Sequence, residues 1–402
     1  MKFNVSGNGR TVSSGVKFLR CGECGRGASP LDVAGNGKRG ILVVFEQPTS
    51  TQWSARSWLA GGDSTVLWTL QELGLSLRED IAITAALPCH GSKNSNGNYE
   101  PCLIKLKETL KRLRPKVIIT VGASATGAIL RLYNPGHFAP NFTSAQYVGQ
   151  CIPLNRNEEN MWGCWLAPVQ SERDIHLNKS TPIKNMAKAW LRRHVTYAVD
   201  VGGLRPSAMP IPEVKLLYDS KEITQVLEEA GNAKYAAFDY ETNRLQPEFP
   251  KAAILTSAVT YVSDADDVQT VAFPMSSEVV KQAWCRFLQS DVKKIGANIK
   301  FEHRWSCVHL RTPVAHWFWD VCVAGRIMDC MPGNSGLKYL TFVNFGIIGY
   351  DDSVSSYMND DADGMNGLEK APPVNLLTYN GYDALYTYYC AKKQHEMFGL
   401  AF

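Results

Sequence analysis

Between Val199 and Pro212 the chain carries Gly202, Gly203, Pro206, Pro210 and Pro212, and no helical or strand period runs through them. This break matters because short apolar runs alternate with helical stretches on both sides of it. Before it, Ile41-Leu42-Val43-Val44-Phe45, Ile81 to Leu87 and Lys116 to Gly122 read as buried strands by length and branching. Val66 to Leu73 (stopped by Gly74), Cys102 to Leu113, Ala123 to Leu132 and the basic, amphipathic Ile183 to Val195 read as helices. After it come a strand from Lys215 to Tyr218, a helix capped by Ser220 and running through Glu229, and strands over Tyr235–Tyr240 and Ile254–Tyr261. Alternation of this kind predicts α/β units with helices packed on parallel or mixed sheets. A chain of 402 residues is also too long for one ordinary core. The expected organisation is therefore a domain over 1–198, a linker over 199–212 and a second domain over 213–402.

An apolar content of 45% with 20% charged residues describes a globular chain, not a disordered one. The net charge of +4 is too slight to argue for nucleic acid by itself. Local clusters carry that argument: Lys105, Lys107, Lys111, Arg112, Arg114 and Lys116, then Lys184, Lys188, Arg192 and Arg193. Lys105, Arg112, Lys188 and Arg192 are the phosphate contacts these helices would offer. No run of eighteen apolar residues and no signal peptide is visible, so a cytoplasmic protein with no membrane partner is expected. The eleven cysteines, an odd number, speak against a secreted disulfide framework.

Three segments of the second half carry chemistry. Asp239 and Glu241, in Phe238-Asp239-Tyr240-Glu241-Thr242, stand two apart on a strand, so both carboxylates leave one face of the sheet. Asn298-Ile299-Lys300-Phe301-Glu302 follows the strand-like Lys294 to Ala297 and puts Glu302 on the first turn of a helix. Tyr379 and Asp383 lie four apart in the helical run Leu376 to Cys390 and share a face. Four acids and a tyrosine suit two hard cations roughly 4 Å apart, Mg²⁺ or Mn²⁺, that activate water and stabilise both oxygens of a phosphodiester displacement. Tyr379 would orient the attacking water.

This ordered trio resembles the DEDD superfamily of 3′-5′ exonucleases in the form with a tyrosine in the last motif. It looks most like the proofreading domain of family A DNA polymerases, especially those of phages. The resemblance spans roughly Glu213 to the C-terminus and includes Trp319-Asp320-Val321 and Gly336-Leu337-Lys338-Tyr339-Leu340. It implies a ribonuclease H-like mixed sheet and a metal site of Asp239, Glu241, Glu302 and Asp383, with Asn298 and Lys300 at the nucleic acid. The family's second motif usually supplies Asp where Glu302 stands, and the extra methylene could shift the metal. Asp320 is expected to cap the helix that follows it. Nineteen residues follow Asp383, so the polymerase is expected either beyond this sequence or as a separate, family A-type polypeptide.

In the first half, two residues separate Cys21 from Cys24, sixty-four separate Cys24 from Cys89, and twelve separate Cys89 from Cys102. Four thiolates can hold zinc or a [4Fe–4S] cluster, and spacing does not choose between them. Cys151, Cys164, Cys285, Cys307, Cys322, Cys330 and Cys390 show no ligand spacing and are expected to be packing residues. The order of elements around the first four cysteines is similar to family 4 uracil-DNA glycosylases, over nearly all of residues 17–197. The resemblance implies an α/β/α sandwich with the [4Fe–4S] cluster on Cys21, Cys24, Cys89 and Cys102. The chemical motifs depart from the family. Phe45-Glu46-Gln47-Pro48-Thr49-Ser50-Thr51-Gln52 replaces its Gly-Glu-Ala-Pro-Gly segment, Ala85 replaces the asparagine that reads uracil, and Ala167-Pro168-Val169 replaces His-Pro-Ser. Base recognition and anion stabilisation both lose their groups, so an inactive module is expected.

Together the two resemblances imply a metal-dependent 3′-5′ DNA exonuclease that proofreads or trims single-stranded or frayed 3′ ends, with a glycosylase-like module for DNA or polymerase binding. A phage origin would place it in the bacterial host cytoplasm. The rival readings are a non-catalytic polymerase scaffold and a bifunctional uracil-repair nuclease.

Overall fold

The computed structural model describes residues 30–62, 64–90, 100–138, 145–154, 163–206, 209, 212–263, 265–331, 333–359 and 364–402. The chain divides into two compact units, Met1–Ala208 and Met209–Phe402. The architecture is mixed α/β with two sheets, one in each unit.

In the first unit, β1 (Ile41–Phe45), β2 (Ile81–Ala85), β3 (Val117–Val121), β4 (Ile152–Leu154) and β5 (Cys164–Val169) form a sheet in the order β2-β1-β3-β5-β4. Every pair is parallel except β4 with β5. All positions of β1, β2 and β3 are buried, which is why they read as unbroken apolar runs: a parallel sheet is covered on both faces. One core gathers Val43, Ile119 and Ile83 of the sheet with Leu70, Leu191 and Val195 of the helices Thr65–Glu72 and Thr181–Val201. The latter helix outruns the Ile183–Val195 read from its pattern and takes up Val199 to Val201, ending at Gly202.

In the second unit, β6 (Val214–Leu216), β7 (Tyr235–Thr242), β8 (Ile254–Val262), β9 (Val268–Pro274), β10 (Lys293–Gly296) and β11 (Trp317–Asp320) lie in the order β11-β10-β7-β8-β9-β6. The β7-β8-β9 meander is antiparallel, while β10, β11 and β6 add parallel edges. Alternation along β7 sets the layers. Phe238 and Tyr240 enter a core with Trp284, Phe287 and Trp305, where Trp284 Nε1 donates to the Tyr240 hydroxyl at 2.6 Å. Ala237 packs in a different cluster, with Ile295, Tyr388 and Ala391. Asp239 and Glu241 leave β7 on that same side, toward the C-terminal helix Pro373–Met397. Burying side chains as large as Trp284 and Phe287 contributes roughly 1.5–3 kcal/mol each.

One helix start differs from the sequence pattern. Asp219, not Ser220, caps the helix Ser220–Asn232: its Oδ1 accepts the N–H groups of Lys221 and Glu222 at 2.9 and 3.0 Å. The carboxylate reaches two orphan amides where a serine hydroxyl would serve one. Ser220 instead sits inside the first turn.

Candidate active site

One carboxylate oxygen each from Asp239, Glu241 and Asp383 lies within 4.8 Å of the others. Strand period two delivers the first pair, and their register partners on β8 are Ala258 and Thr256. The C-terminal helix delivers Asp383, and Gly381 lets it approach: a Cβ there would stand 2.2 Å from Val214 Cγ1 of β6. No side chain larger than hydrogen fits between helix and strand at that point. The motif Tyr379-Asn380-Gly381-Tyr382-Asp383 thus carries its own docking notch.

Asp383 accepts a hydrogen bond from the Tyr350 hydroxyl at 2.7 Å, and the Tyr379 phenol beside it also favours its charged form. The two phenol rings stack 6.0 Å apart, 24° from parallel. Asn380, fully buried, donates Nδ2 to Asp239 Oδ2 at 2.8 Å and accepts from Thr256 Oγ1 at 2.8 Å. Lys338 pairs with Asp351 at 2.6 Å and lies 5.7 Å from the Tyr379 ring centre. Its charge pulls Glu241 and Asp383 downward, but burial wins. Burial raises Asp383 to about 6 despite the two phenols that favour its charged form. Burial, then the neighbouring Asp383, raises Asp239; burial, then Asp239 and Asp383, raises Glu241. Three carboxylates forced together in a dry place resist ionisation until a cation arrives. Burial, then Asp383 and Glu241, also pushes Tyr379 upward, so it stays a neutral donor.

Glu302 stands on the first turn of the helix Lys300–His309, as its motif predicts, yet outside the triad of ligand oxygens. It is 2% exposed, and its Oε2 has no hydrogen-bond partner among the described residues. Burial and then the Asp239 charge raise it strongly. An orphaned carboxylate oxygen next to three clustered acids fits a divalent cation, since hard cations take oxygen donors. Asn298 and Lys300 are exposed beside it. Asn298 has φ +67, and its amide donates to Asp320 Oδ1 at 3.1 Å. Asp320 caps the helix Val321–Met328 through Cys322 and Val323, and it also accepts the amide of Ile299 at 3.0 Å. This second hold on the Glu302 segment has no signature in the sequence.

In the first unit the parallel strands end on a row of Phe45, Ala85, Val121 and Val169, all buried. Ligands of open α/β sheets sit at such carboxyl ends, and this row offers them no polar group. Ala167, two residues inward from Val169, is also buried. Glu46 is engaged elsewhere: its Oε1 accepts the Ser124 amide at 3.0 Å at the start of the helix Ala123–Tyr133. Gly122 permits this, for its φ is +93 and a Cβ would meet Glu46 Cδ at 2.5 Å. Gln47 and Pro48 lead into Thr49, whose side chain and that of Gln52 form a capping box for the helix Ser50–Ser54. Trp58 is 1% exposed, stacks on Phe45 and donates Nε1 to Asp32 O at 2.7 Å, a core residue.

Cys21 and Cys24 lie outside the described residues. Cys89 follows β2, Cys102 stands on the helix Glu100–Leu113, and both are half-buried. Of the other cysteines, Cys164 and Cys390 are buried, but Cys307 and Cys330 are exposed and so are not packing residues. Among the basic residues, Lys105 and Lys188 are half-buried, and Arg112 and Arg192 are exposed. Arg192 pairs with Glu72 at 2.6 Å and covers the Trp68 ring at 4.2 Å. Lys188 and Arg192 line a cavity of about 230 Å³ with Ser64, Thr65 and Trp68.

Residues 41–190 match the uracil DNA glycosylase superfamily, and residues 214–397 match a family described as 3′-5′ exonuclease. No curated protein matches the chain. Solved structures with a similar course include the catalytic core of RRP6 from Trypanosoma brucei, at 11% identity and TM-score 0.35, covering 47% of this chain and 48% of that one. Trypanosoma brucei RNase D in complex with GMP has 15% identity and TM-score 0.35, over 44% and 56%. Brucella melitensis NrnC has 14% identity and TM-score 0.34, over 47% and 84%. The chain spans about half the length of the first two. The two family matches place a glycosylase-like unit ahead of a ribonuclease H-like 3′-5′ exonuclease unit, whose family implies a divalent metal.

Proposed function

We propose that this protein is a two-metal 3′-5′ exodeoxyribonuclease that proofreads or trims DNA 3′ ends as a subunit or fragment of a family A-type DNA polymerase, as a phage replication protein would. The observation that carries this reading is the convergence of Asp239, Glu241 and Asp383 within 4.8 Å, next to Tyr379. In it, Asp239, Glu241 and Asp383 hold the cations with Glu302 as the fourth carboxylate. A bound pair of Mg²⁺ or Mn²⁺ ions would supply Lewis acidity and balance the phosphodiester charge. Tyr379 keeps its proton and orients water toward the scissile phosphorus, while Tyr350 holds Asp383 in place. Asn298 and Lys300, exposed at the start of the Glu302 helix, contact the strand.

We assign the domains as 1–198 and 213–402 around a linker. The first we read as a catalytically silent glycosylase fold retained for docking to DNA or polymerase, with Lys105, Arg112 and Lys188 toward phosphates. The apolar row at its strand ends and the engaged Glu46 support that silence. Cys21, Cys24, Cys89 and Cys102 we assign to a [4Fe–4S] cluster, with zinc as the alternative metal.

The test is digestion of a 5′-labelled single strand and of a mismatched primer, each as DNA and as RNA, with Mg²⁺, Mn²⁺ or chelator. Stepwise shortening of DNA from the 3′ end, lost in chelator and in Asp239→Asn, is expected. Preference for RNA would replace the replication reading with an RNA-trimming one. No cleavage under any condition would leave the scaffold reading in its place.

A further inference from the structure

We infer that Asn380, steered by Thr256, is a positioning residue of the metal site: it holds one oxygen of Asp239 and turns the other toward the cations. The inference rests on the metal-site reading above and adds to it Asn380, which stands inside the last motif without being one of its acids, and Thr256, which no acid motif contains.

Three observations meet here. Asn380 is fully buried on the C-terminal helix, and Thr256 is 5% exposed on β8, opposite Glu241. Asn380 Nδ2 donates to Asp239 Oδ2 at 2.8 Å. Thr256 Oγ1 donates to Asn380 Oδ1 at 2.8 Å. Once a cation is bound Asp239 is ionised and only accepts, so the amide must turn its NH₂ toward it. Its oxygen would then be orphaned in the core unless a donor met it, and the Thr256 hydroxyl is that donor. The chain Thr256–Asn380–Asp239 therefore has a single sense, fixed at one end by the carboxylate and at the other by the strand.

Its chemical use follows from the crowding of acids. Among the described residues no cationic side chain is hydrogen-bonded to Asp239, which faces Asp383 and Glu241, and a free carboxylate there would swing away from its like-charged neighbours. A neutral amide holds it without competing for the cation as a lysine would. Ala258, opposite Asp239 in the register, adds no bulk on β8 at that position. Residues that orient metal ligands typically change affinity 10- to 100-fold when removed.

The test is Mn²⁺ titration of the full chain in the absence of DNA, read by electron paramagnetic resonance, so that binding is measured apart from turnover. Asn380→Ala should weaken Mn²⁺ binding about tenfold or more. Thr256→Val keeps the shape of threonine and removes its donor, so it should weaken binding, whereas Thr256→Ser should bind as the parent does. If Asn380→Ala does not fold, the Val and Ser pair at position 256 still decides the matter. Equal affinity for parent, Thr256→Val and Thr256→Ser would overturn the inference. Asp239→Asn separates its failure from that of the premise. If Asp239→Asn binds Mn²⁺ as the parent does, the metal-site reading itself falls. If Asp239→Asn loses Mn²⁺ while Thr256→Val keeps it, only the positioning role falls.

Discussion

Tyr350 donates its hydroxyl to Asp383 Oδ1 at 2.7 Å across a separation of 33 residues. It gives the last acid a phenol besides Tyr379, and it comes from the loop after the helix Leu337–Phe345, outside every acid motif. Removing it as Tyr350→Phe keeps the stacked ring and deletes only the donor. A hydrogen bond to a charged group contributes about 1.5–3 kcal/mol, so nuclease turnover should fall roughly 10- to 100-fold. Tyr379→Phe should fall further, because it also removes the group placed to orient water. Single-turnover rates at saturating Mg²⁺ measure both.

The clustered acids make stability depend on pH and metal together. Asp383 moves from 3.8 to about 6 on folding, and Asp239, Glu241 and Glu302 shift the same way. Between those values the folded protein binds more protons than the unfolded chain, so metal-free stability is lost as pH rises through about 6. Cations that bind the ionised acids restore it. Calorimetry should show the metal-free protein melting higher at pH 5 than at pH 7.5, and Mg²⁺ raising the melting point more at pH 7.5. An Mg²⁺ effect of equal size at both values would break the linkage.

Glu302 is costly to the metal-free fold because its Oε2 is buried with no partner among the described residues. Replacing it with an apolar side chain of similar length, Glu302→Met, should stabilise the chelated protein by on the order of 1–3 kcal/mol. The same change should cut cleavage at least 100-fold if the acid holds a cation. Melting in chelator and cleavage in Mg²⁺ should therefore move in opposite directions.

Anaerobically purified protein should contain iron and absorb broadly in the visible blue. Cys89→Ala and Cys102→Ala should each lose that absorbance and lower the stability of the first unit, because cluster ligation couples to folding. Stoichiometric zinc without iron would assign the cysteines to the alternative metal.

Uracil-containing DNA should survive incubation with the protein in chelator, which silences the nuclease and leaves a glycosylase free to act. Each missing transition-state donor typically costs on the order of 10²-fold or more in rate. Alkali-sensitive breaks at uracil would show that the unit retains a route to excision.

The acids were legible in the sequence because their spacing is local: two along β7, one helical turn from Tyr379 to Asp383. The strand alternation was legible for the same reason, since buried parallel strands are short apolar runs. What escaped depends on tertiary approach. Tyr350 reaches Asp383 across 33 residues, Asn380 reaches Asp239 across 141, and Thr256 reaches Asn380 across 124, and no local spacing marks these encounters. Sequence shows Asp320 as a cap for its own helix, and the structure adds the Ile299 amide, 21 residues upstream. The caps misread at Ser220 and the helix end past Val195 are boundary effects, where neighbouring residues compete for one orphan amide or one more turn.

Asp320 takes amides from Asn298, Ile299, Cys322 and Val323, so one side chain pins the starts of two helices. Those starts cannot fray independently. Breathing at Val321–Met328 loosens the turn that aims Glu302, and solvent exchange at the Ile299 and Cys322 amides should become a single event. A lineage that changed residue 320 would have to rebuild both turns at once, which ties the drift of two separate stretches of sequence to one carboxylate.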